Sequence, residues 1–200
     1  MKRIIMVLLM IYLILMCGCM DKHELEDSNF VILIGIDKEQ EDIRITISFP
    51  LSQLREKMNE YETVSATDDN AVKALKKLEE NMAGKIALHS IKTLAVSKDI
   101  VQNGELECVY NMWKQTEMRN TAAVVITECS AKKFVSARVE NALTDPLRQE
   151  ELLLEREKPV QLIDFIANFK FHGKDISVMY GNDEGEVSAC ILLSKGEIVG

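Results

Sequence analysis

Two apolar runs near the start of the chain predict a pair of β-strands. Residues 30–36 are continuously apolar over the length of a strand, which is typical of a strand buried on both faces. Residues 43–49 alternate strictly between apolar and polar side chains, the pattern of a half-buried strand, and Pro50 follows them. Because the link between the two runs is short and polar, we expect a hairpin.

Further along, the spacing of apolar residues becomes that of an amphipathic helix. One helical stripe carries Ala71, Ala74, Leu75, Leu78 and Met82. Asp68 or Asp69 is expected to cap the start of this helix, and Gly84 to end it. Residues 51–70 are polar without a sustained period, which indicates a loop with a mobile middle before the helix.

The rest of the chain alternates irregularly between strand-like and helix-like segments. Strands are predicted at residues 85–96, 121–126, 176–180 and 186–193. Helices are predicted near Ser97 and at residues 106–117, 130–139, 146–157 and 159–171, the last with Pro159 in its first turn. Since this order lacks regular βα alternation, we predict an α+β fold, a mixed β-sheet with flanking helices that is not doubly wound.

The N-terminus has the pattern of an export signal. Lys2 and Arg3 precede thirteen uncharged apolar residues, 4–16, which fits the apolar region of a signal peptide. This stretch is short for a hydrocarbon core about 30 Å thick, which needs roughly 20 residues of helix. We therefore predict a signal peptide at residues 1–18.

The residues that follow point to a lipid anchor. The stretch Leu15-Met16-Cys17-Gly18-Cys19 resembles the bacterial lipobox, and the small Gly18 stands directly before Cys19. We expect cleavage after Gly18 and attachment of lipid to Cys19, so that acyl chains hold the protein on a bilayer. The alternative is an uncleaved single-pass anchor. Both arrangements place residues 20–200 outside the cytoplasm.

Charge narrows the range of partners. The formal net charge is −8, and removing residues 1–18, whose charged residues are Lys2 and Arg3, brings it to −10. A protein this acidic is repelled by nucleic-acid phosphates and by anionic lipid headgroups. Attachment to a membrane would therefore depend on acylated Cys19.

The sequence holds no constellation typical of a catalytic or metal site. It contains no dinucleotide-binding, P-loop, serine-hydrolase or zinc-protease motif. The scattered histidines are His23, His89 and His172, of which His89 is predicted within a strand and His172 at a helix end. The acidic pairs at residues 68–69 and 183–184 lack the spacing of a calcium loop. We predict no enzyme activity, no cofactor and no metal.

Three cysteines remain after Cys17 and Cys19 are assigned to the signal and the lipid. Cys108, Cys129 and Cys190 are widely spaced and include no CxxC pair, so neither a disulfide framework nor a zinc site is indicated. Cys129 and Cys190 each end an apolar run, and buried free thiols are expected. A single disulfide between two of the three remains an alternative.

Four segments match one known family in sequence and in order. After Cys19, the matching residues are Asp21, Lys22, Glu24, Leu25 and Asp27. Further matches are a Gly-Ile-Asp strand end at residues 33–38, a histidine-bearing segment at 88–96, and an apolar strand with a Lys-Gly turn at 188–200. Through them the chain resembles the N-terminal part of Ger(x)C proteins, the lipoprotein C subunits of nutrient germinant receptors in spore-forming bacteria. Met20 departs from the tryptophan usual there.

The resemblance implies a location and partners. It implies an α+β domain on the outer face of the spore inner membrane, assembled with a multi-spanning A subunit and a transporter-like B subunit. It brings no catalytic residues. Family members continue into a further C-terminal domain, which we expect to be missing here.

We accordingly divide the chain into four parts. These are a signal peptide (1–18), a lipidated tether (19–28), an N-terminal α+β domain (29–157) and the truncated start of a second α+β segment (158–200). The expected function is that of a non-enzymatic, membrane-anchored receptor subunit in spore germination. The alternative is a solute-binding lipoprotein that delivers a small ligand to a transporter, which calorimetry with amino acids and sugars would reveal.

Overall fold

The computed structural model describes residues 28–51, 61–82, 84–128, 130–142, 145–194 and 196–199. Within these ranges the chain forms an eight-stranded mixed sheet, a separate two-stranded sheet and flanking helices. The predicted α+β class with a mixed sheet is therefore confirmed. The signal peptide, Cys19 and Cys129 lie outside the described residues.

The elements follow one another in an irregular order. The strands are β1 (Ser28–Phe30), β2 (Leu33–Glu39), β3 (Asp42–Pro50), β4 (Tyr61–Asp68), β5 (Lys85–Ala87), β6 (Thr93–Ser97), β7 (Ala123–Thr127), β8 (Ile176–Gly181), β9 (Val187–Ser194) and β10 (Glu197–Ile198). The helices are α1 (Ala71–Asn81), α2 (Lys98–Gln102), α3 (Glu107–Gln115), α4 (Ala131–Glu140), α5 (Pro146–Glu157) and α6 (Leu162–Ala167). A 3₁₀ turn spans Leu88–Ser90, and a π-helix spans Asn168–His172.

The large sheet has parallel strands at its centre and antiparallel strands on both sides. Its order is β10-β9-β8-β7-β6-β2-β3-β4. The pairs β2–β6, β6–β7 and β7–β8 are parallel, whereas β2–β3, β3–β4, β8–β9 and β9–β10 are antiparallel. Parallel strands need both faces covered, which explains the continuous apolar run in β2.

Helices pack on both faces of this sheet. On one face, Ile34 and Ile36 of β2 join an apolar cluster with residues from α1, α2, α3 and α6. On the other, Leu33 joins a smaller cluster with Phe134 of α4 and Leu147 of α5. The alternation along β2 thus sends successive side chains into two separate cores.

One strand was missed by the hydrophobic pattern. Residues 61–68, expected to lie in a mobile loop, form β4 at the edge of the sheet. Only Val64 and Ala66 of this strand pack against the large core, while Thr46 of β3 bonds to Ser65 on the other face at 2.9 Å. The prediction was wrong because an edge strand with one weakly apolar face produces little periodicity.

Two other predicted elements are interrupted. The strand expected at residues 85–96 is divided into β5, the 3₁₀ turn and β6, so His89 lies in a turn and not in a strand. The helix expected at residues 159–171 begins only after Pro159, at Leu162, and passes into the π-helix. Gly173 ends it with a φ of 56°, as expected.

The caps of the helices differ in detail from expectation. Asn70, and not Asp68 or Asp69, caps α1, since its side chain accepts from the Lys73 N–H. Asp145 caps α5 by accepting from the Leu147 N–H, with Pro146 at the first helical position.

The sheet runs across the predicted division at residues 157 and 158. β8 pairs with β7 in parallel, and the Val124 N–H donates to the Val160 carbonyl at 3.0 Å. Strands from both sides of the division therefore belong to one sheet. Among the helices described, none combines the length and apolar character needed to cross a bilayer.

Candidate functional site

Strand β1 is the first described element after Cys19. It belongs to a small cluster of residues, 28–32 and 85–92, that we call the entry corner. β1 pairs in parallel with β5, Ser28 opposite Lys85. The Ser90 hydroxyl donates to the carbonyls of Val31 at 2.8 Å and Ala87 at 2.9 Å. The segment that follows the tether is therefore tied to the domain by backbone and side-chain bonds.

His89, the histidine in the segment that resembles the Ger(x)C family, lies in the entry corner. The exposed His89 meets the Phe30 ring edge-on, with ring centroids 6.0 Å apart and planes at 88°. The Lys92 N–H donates to the Ile32 carbonyl at 2.8 Å, which joins the start of β6 to the start of β2. His89 therefore has a packing contact at the point of chain entry.

A second loop borders the entry corner. The Arg119 N–H donates to the Leu88 carbonyl at 3.3 Å, and Asn120 accepts the indole N–H of Trp113 at 2.8 Å. Trp113 is the chain's single tryptophan and is half-buried. Because β2, β6 and β7 are parallel, the segments before them meet at one edge of the sheet.

At the opposite end of β2, the motif Gly35-Ile36-Asp37 holds the start of α4 against the sheet. The carboxylate of Asp37, 4 % exposed, accepts the N–H groups of Ala131 at 2.7 Å and Lys132 at 2.8 Å. These N–H groups stand at the positive end of the helix dipole. A Cβ on Gly35 would lie 3.0 Å from the Ala131 carbonyl oxygen, so only glycine lets α4 approach this closely.

Burial dominates the electrostatics of this carboxyl. Desolvation raises the pKa of Asp37 above its ordinary value, and the N–H groups of Lys132 and Ala131 offset part of this rise. The geometry is that of a helix cap and leaves Asp37 no access to a substrate. The motif that carries the family resemblance is therefore structural in this chain.

Replacing Asp37 with alanine should destabilise the fold by about 2–4 kcal/mol, because two buried N–H groups lose their acceptor. The measurement is the free energy of unfolding from urea titration. Asp183→Ala is the matched control, since Asp183 contacts the same helix start through Ser130 and an exposed Lys133. The control should lose less than about 1 kcal/mol, and equal losses would contradict the cap.

A buried ionic network ties α4 and α5 to the sheet. Glu150 of α5 is fully buried; one carboxylate oxygen accepts from the Arg138 Nε, and the other accepts from the Thr93 hydroxyl at 2.5 Å. Arg138, 7 % exposed, also donates to the Gly185 carbonyl at 3.0 Å. Sequence reasoning missed this network, because a charged helix normally faces solvent.

The remaining cysteines have different environments. Cys108 is half-buried, and burial together with the nearby Glu105 raises the pKa of its thiol to about 12. Cys190 is exposed, so the expectation that it is buried was wrong; it lies in β9, which is next to the edge strand β10. Both are free thiols.

We therefore expect iodoacetamide at pH 8 to alkylate Cys190 and to leave Cys108 nearly unmodified. At that pH only on the order of one Cys108 in ten thousand is a thiolate, and the thiolate is the nucleophile. Peptide mass spectrometry after timed quenching measures both sites. Equal rates in the folded protein would contradict the buried thiol, whereas in urea the rates should converge.

The other candidate site residues from the sequence analysis are not brought together in one place by the fold. Within the described ranges, no three His, Cys, Asp or Glu side chains are grouped to hold a metal ion. Asp69 pairs with Lys73 at 2.5 Å, and Asp183 pairs with Lys133 at 2.9 Å. A narrow hollow between Leu106, Phe169 and Leu193 does not admit a water molecule. Cys19, the predicted lipidation site, and His23 lie outside the described residues.

Comparison with known families gives a direct result. Residues 21–181 match the family described as the spore germination protein N-terminal domain. The chain belongs to this family. Membership supports a role in spore germination and agrees with the resemblance. The matched region includes the entry corner, the Asp37 cap of α4 and the Glu150–Arg138 ion pair.

A comparison with curated proteins points the same way. The chain is similar to the Bacillus subtilis (strain 168) protein named "Putative spore germination protein YfkR", with 23% identity over 180 residues. The similarity covers 84% of this chain and 47% of that protein, so the chain spans about half the length of the curated relative that it matches. No solved structure matches the chain significantly.

Proposed function

We propose that this chain is a non-enzymatic lipoprotein subunit of a spore nutrient germinant receptor. Acyl chains on Cys19 hold it on the outer face of the spore inner membrane. There it assembles with a multi-spanning A subunit and a transporter-like B subunit. The single observation that carries the proposal is the family match over residues 21–181, which begins two residues after Cys19.

Other features support a role in binding over a role in catalysis. The two buried carboxylates in the described part of the chain serve structure: Asp37 caps a helix, and Glu150 forms an ion pair. The solvated surface is strongly acidic overall, which suits a soluble domain held by lipid and not by basic residues. Such a domain can position partners without acting on a substrate.

Affinity capture from spore membranes tests the assembly. The chain would carry a C-terminal tag, and the membranes would be solubilised in mild detergent. We expect two integral membrane proteins to co-purify, one with several spanning helices beside a large soluble part and one with the repeated spans of a transporter. Recovery of the chain alone from the detergent-solubilised membranes would contradict the receptor role.

A matched variant makes the capture specific. Asp183→Ala removes a partly exposed ion pair with Lys133 and a long hydrogen bond from the Ser130 N–H, and it should leave the captured set unchanged. A soluble domain beginning at Ser28, expressed without an export signal, should capture neither protein in the cell, because it stays in the cytoplasm.

A further inference from the structure

We propose that the entry corner and the neighbouring segment Trp113–Arg119, which is the end of α3 and the loop after it, form the surface that faces the bilayer. The parallel strands run from this surface toward the opposite end of the domain. This inference rests on the proposed lipid at Cys19. It adds the orientation of the domain relative to the bilayer, and therefore says that the end opposite the entry corner is the one available to soluble partners.

The short connection to the lipid limits how the domain can turn. Nine residue steps separate Cys19 from Ser28. Even fully extended they reach only about 30 Å. The end of the domain that contains Ser28 therefore stays close to the headgroups.

The other end of the sheet lies much farther from the lipid. β2 begins beside the entry corner and spans seven residues, which is about 20 Å. Asp37 and the start of α4 lie toward its carboxyl end. The exposed side chain of Lys132 at the start of α4 thus marks the distal end.

The chemistry of the proximal surface suits a lipid interface. Trp113 has an apolar ring and a satisfied N–H, an amphipathic combination that favours the boundary between water and lipid. The exposed Lys85 and Lys114 and the half-buried Arg119 add positive charge. The exposed Glu117 and Glu79 oppose it, and the Glu79 carboxylate accepts the Ile86 N–H at 3.2 Å. Lys92 is neutralised by Glu151 at 3.3 Å. The balance at this surface is weakly positive in a protein that is acidic overall.

The distal end has the opposite charge. Acidic side chains crowd the turn between β2 and β3 and the end of β4, next to one another in the sheet. They are Glu39, Glu41, Asp42, Asp68 and Asp69. Arg44 and Lys73 pair within this group, and Lys38 pairs with Glu105 beside it. The exposed Lys132 and Lys133 also lie toward this end, so the excess negative charge belongs to the turn between β2 and β3 and to the end of β4. An anionic bilayer repels such an end, and so charge and tether favour the same orientation.

The single tryptophan allows a direct test. The mature, lipid-modified chain would be incorporated into phosphatidylglycerol-containing vesicles with and without dansyl-labelled phosphatidylethanolamine. Energy transfer from Trp113 to the labelled headgroups should reduce its emission several-fold in the unsubstituted protein. Absence of transfer in protein that floats with the vesicles would overturn the orientation while leaving the lipid anchor standing.

A relocated tryptophan provides the comparison. In the double variant Trp113→Phe, Lys132→Trp the donor is about 20 Å farther from the proposed contact surface, and transfer should be several-fold weaker. Equal or stronger transfer in this variant overturns the proposal. Protein that does not float with vesicles overturns both the orientation and the lipid anchor. Because the first measurement uses the natural sequence, a misfolded variant cannot decide the outcome.

Discussion

Glu150→Ala should lower the free energy of unfolding by about 3–5 kcal/mol, the range found when one partner of a buried ion pair is removed. The substitution leaves the Arg138 guanidinium, 7 % exposed, without its counter-ion. It also removes the acceptor of the Thr93 hydroxyl. Since these contacts connect α4, α5 and β6, we expect the loss to appear as a lower midpoint in urea denaturation.

The adjacent residue is a matched control. Glu151→Ala changes the same helix by the same chemistry but removes only partly exposed ion pairs, with Lys92 and with Arg148, each worth less than about 1 kcal/mol. The double variant Glu150→Leu, Arg138→Met should recover most of the stability, because buried ion pairs are often replaceable by packed apolar groups. Similar losses for Glu150→Ala and Glu151→Ala would contradict the buried network.

Cys19→Ala should move the protein from the membrane to the soluble fraction and reduce nutrient-triggered germination to that of spores lacking the chain. Without residues 1–18 the chain has a net charge of −10, so basic residues are not expected to replace the acyl chains on an anionic membrane. Heat-treated spores given single nutrients, followed by loss of optical density, measure the functional part. Fractionation of spore membranes measures the anchoring.

Cys17→Ala is the control in the same segment. Cys17 lies within the predicted signal peptide and would be removed, so this variant should fractionate and germinate as the natural protein does. An uncleaved single-pass anchor predicts instead that both variants remain in the membrane. The comparison therefore separates the lipoprotein from its alternative, even if one substitution lowers expression.

Much of the fold could be predicted because its strands are either buried on both faces or alternate cleanly. The hairpin of β2 and β3 and the stripe of α1 are clear periodic patterns, and the structure confirms both. β4 was missed because its side chains are mostly small and polar, as in Thr63 and Ser65. An edge strand is stabilised by pairing with β3, which no local pattern reports.

The contacts that hold α4 and α5 against the sheet could not be predicted from the sequence, for a different reason. Gly35 and Asp37 could be recognised as a family motif, but their partners Ala131 and Lys132 are almost a hundred residues away along the chain. Glu150 stands beside Gln149 and Glu151 in a charged helix, where local charge predicts solvent. Burial of one member of such a run is decided by tertiary packing alone.

If Cys19 becomes the lipid-modified N-terminus of a germination protein, mass spectrometry of the mature N-terminal peptide from spore membranes will show it. We expect a peptide that begins at Cys19, lacks residues 1–18 and carries the added mass of a diacylglyceryl group. A peptide that retains Met1–Gly18, or one that begins at an unmodified Cys19, would contradict it.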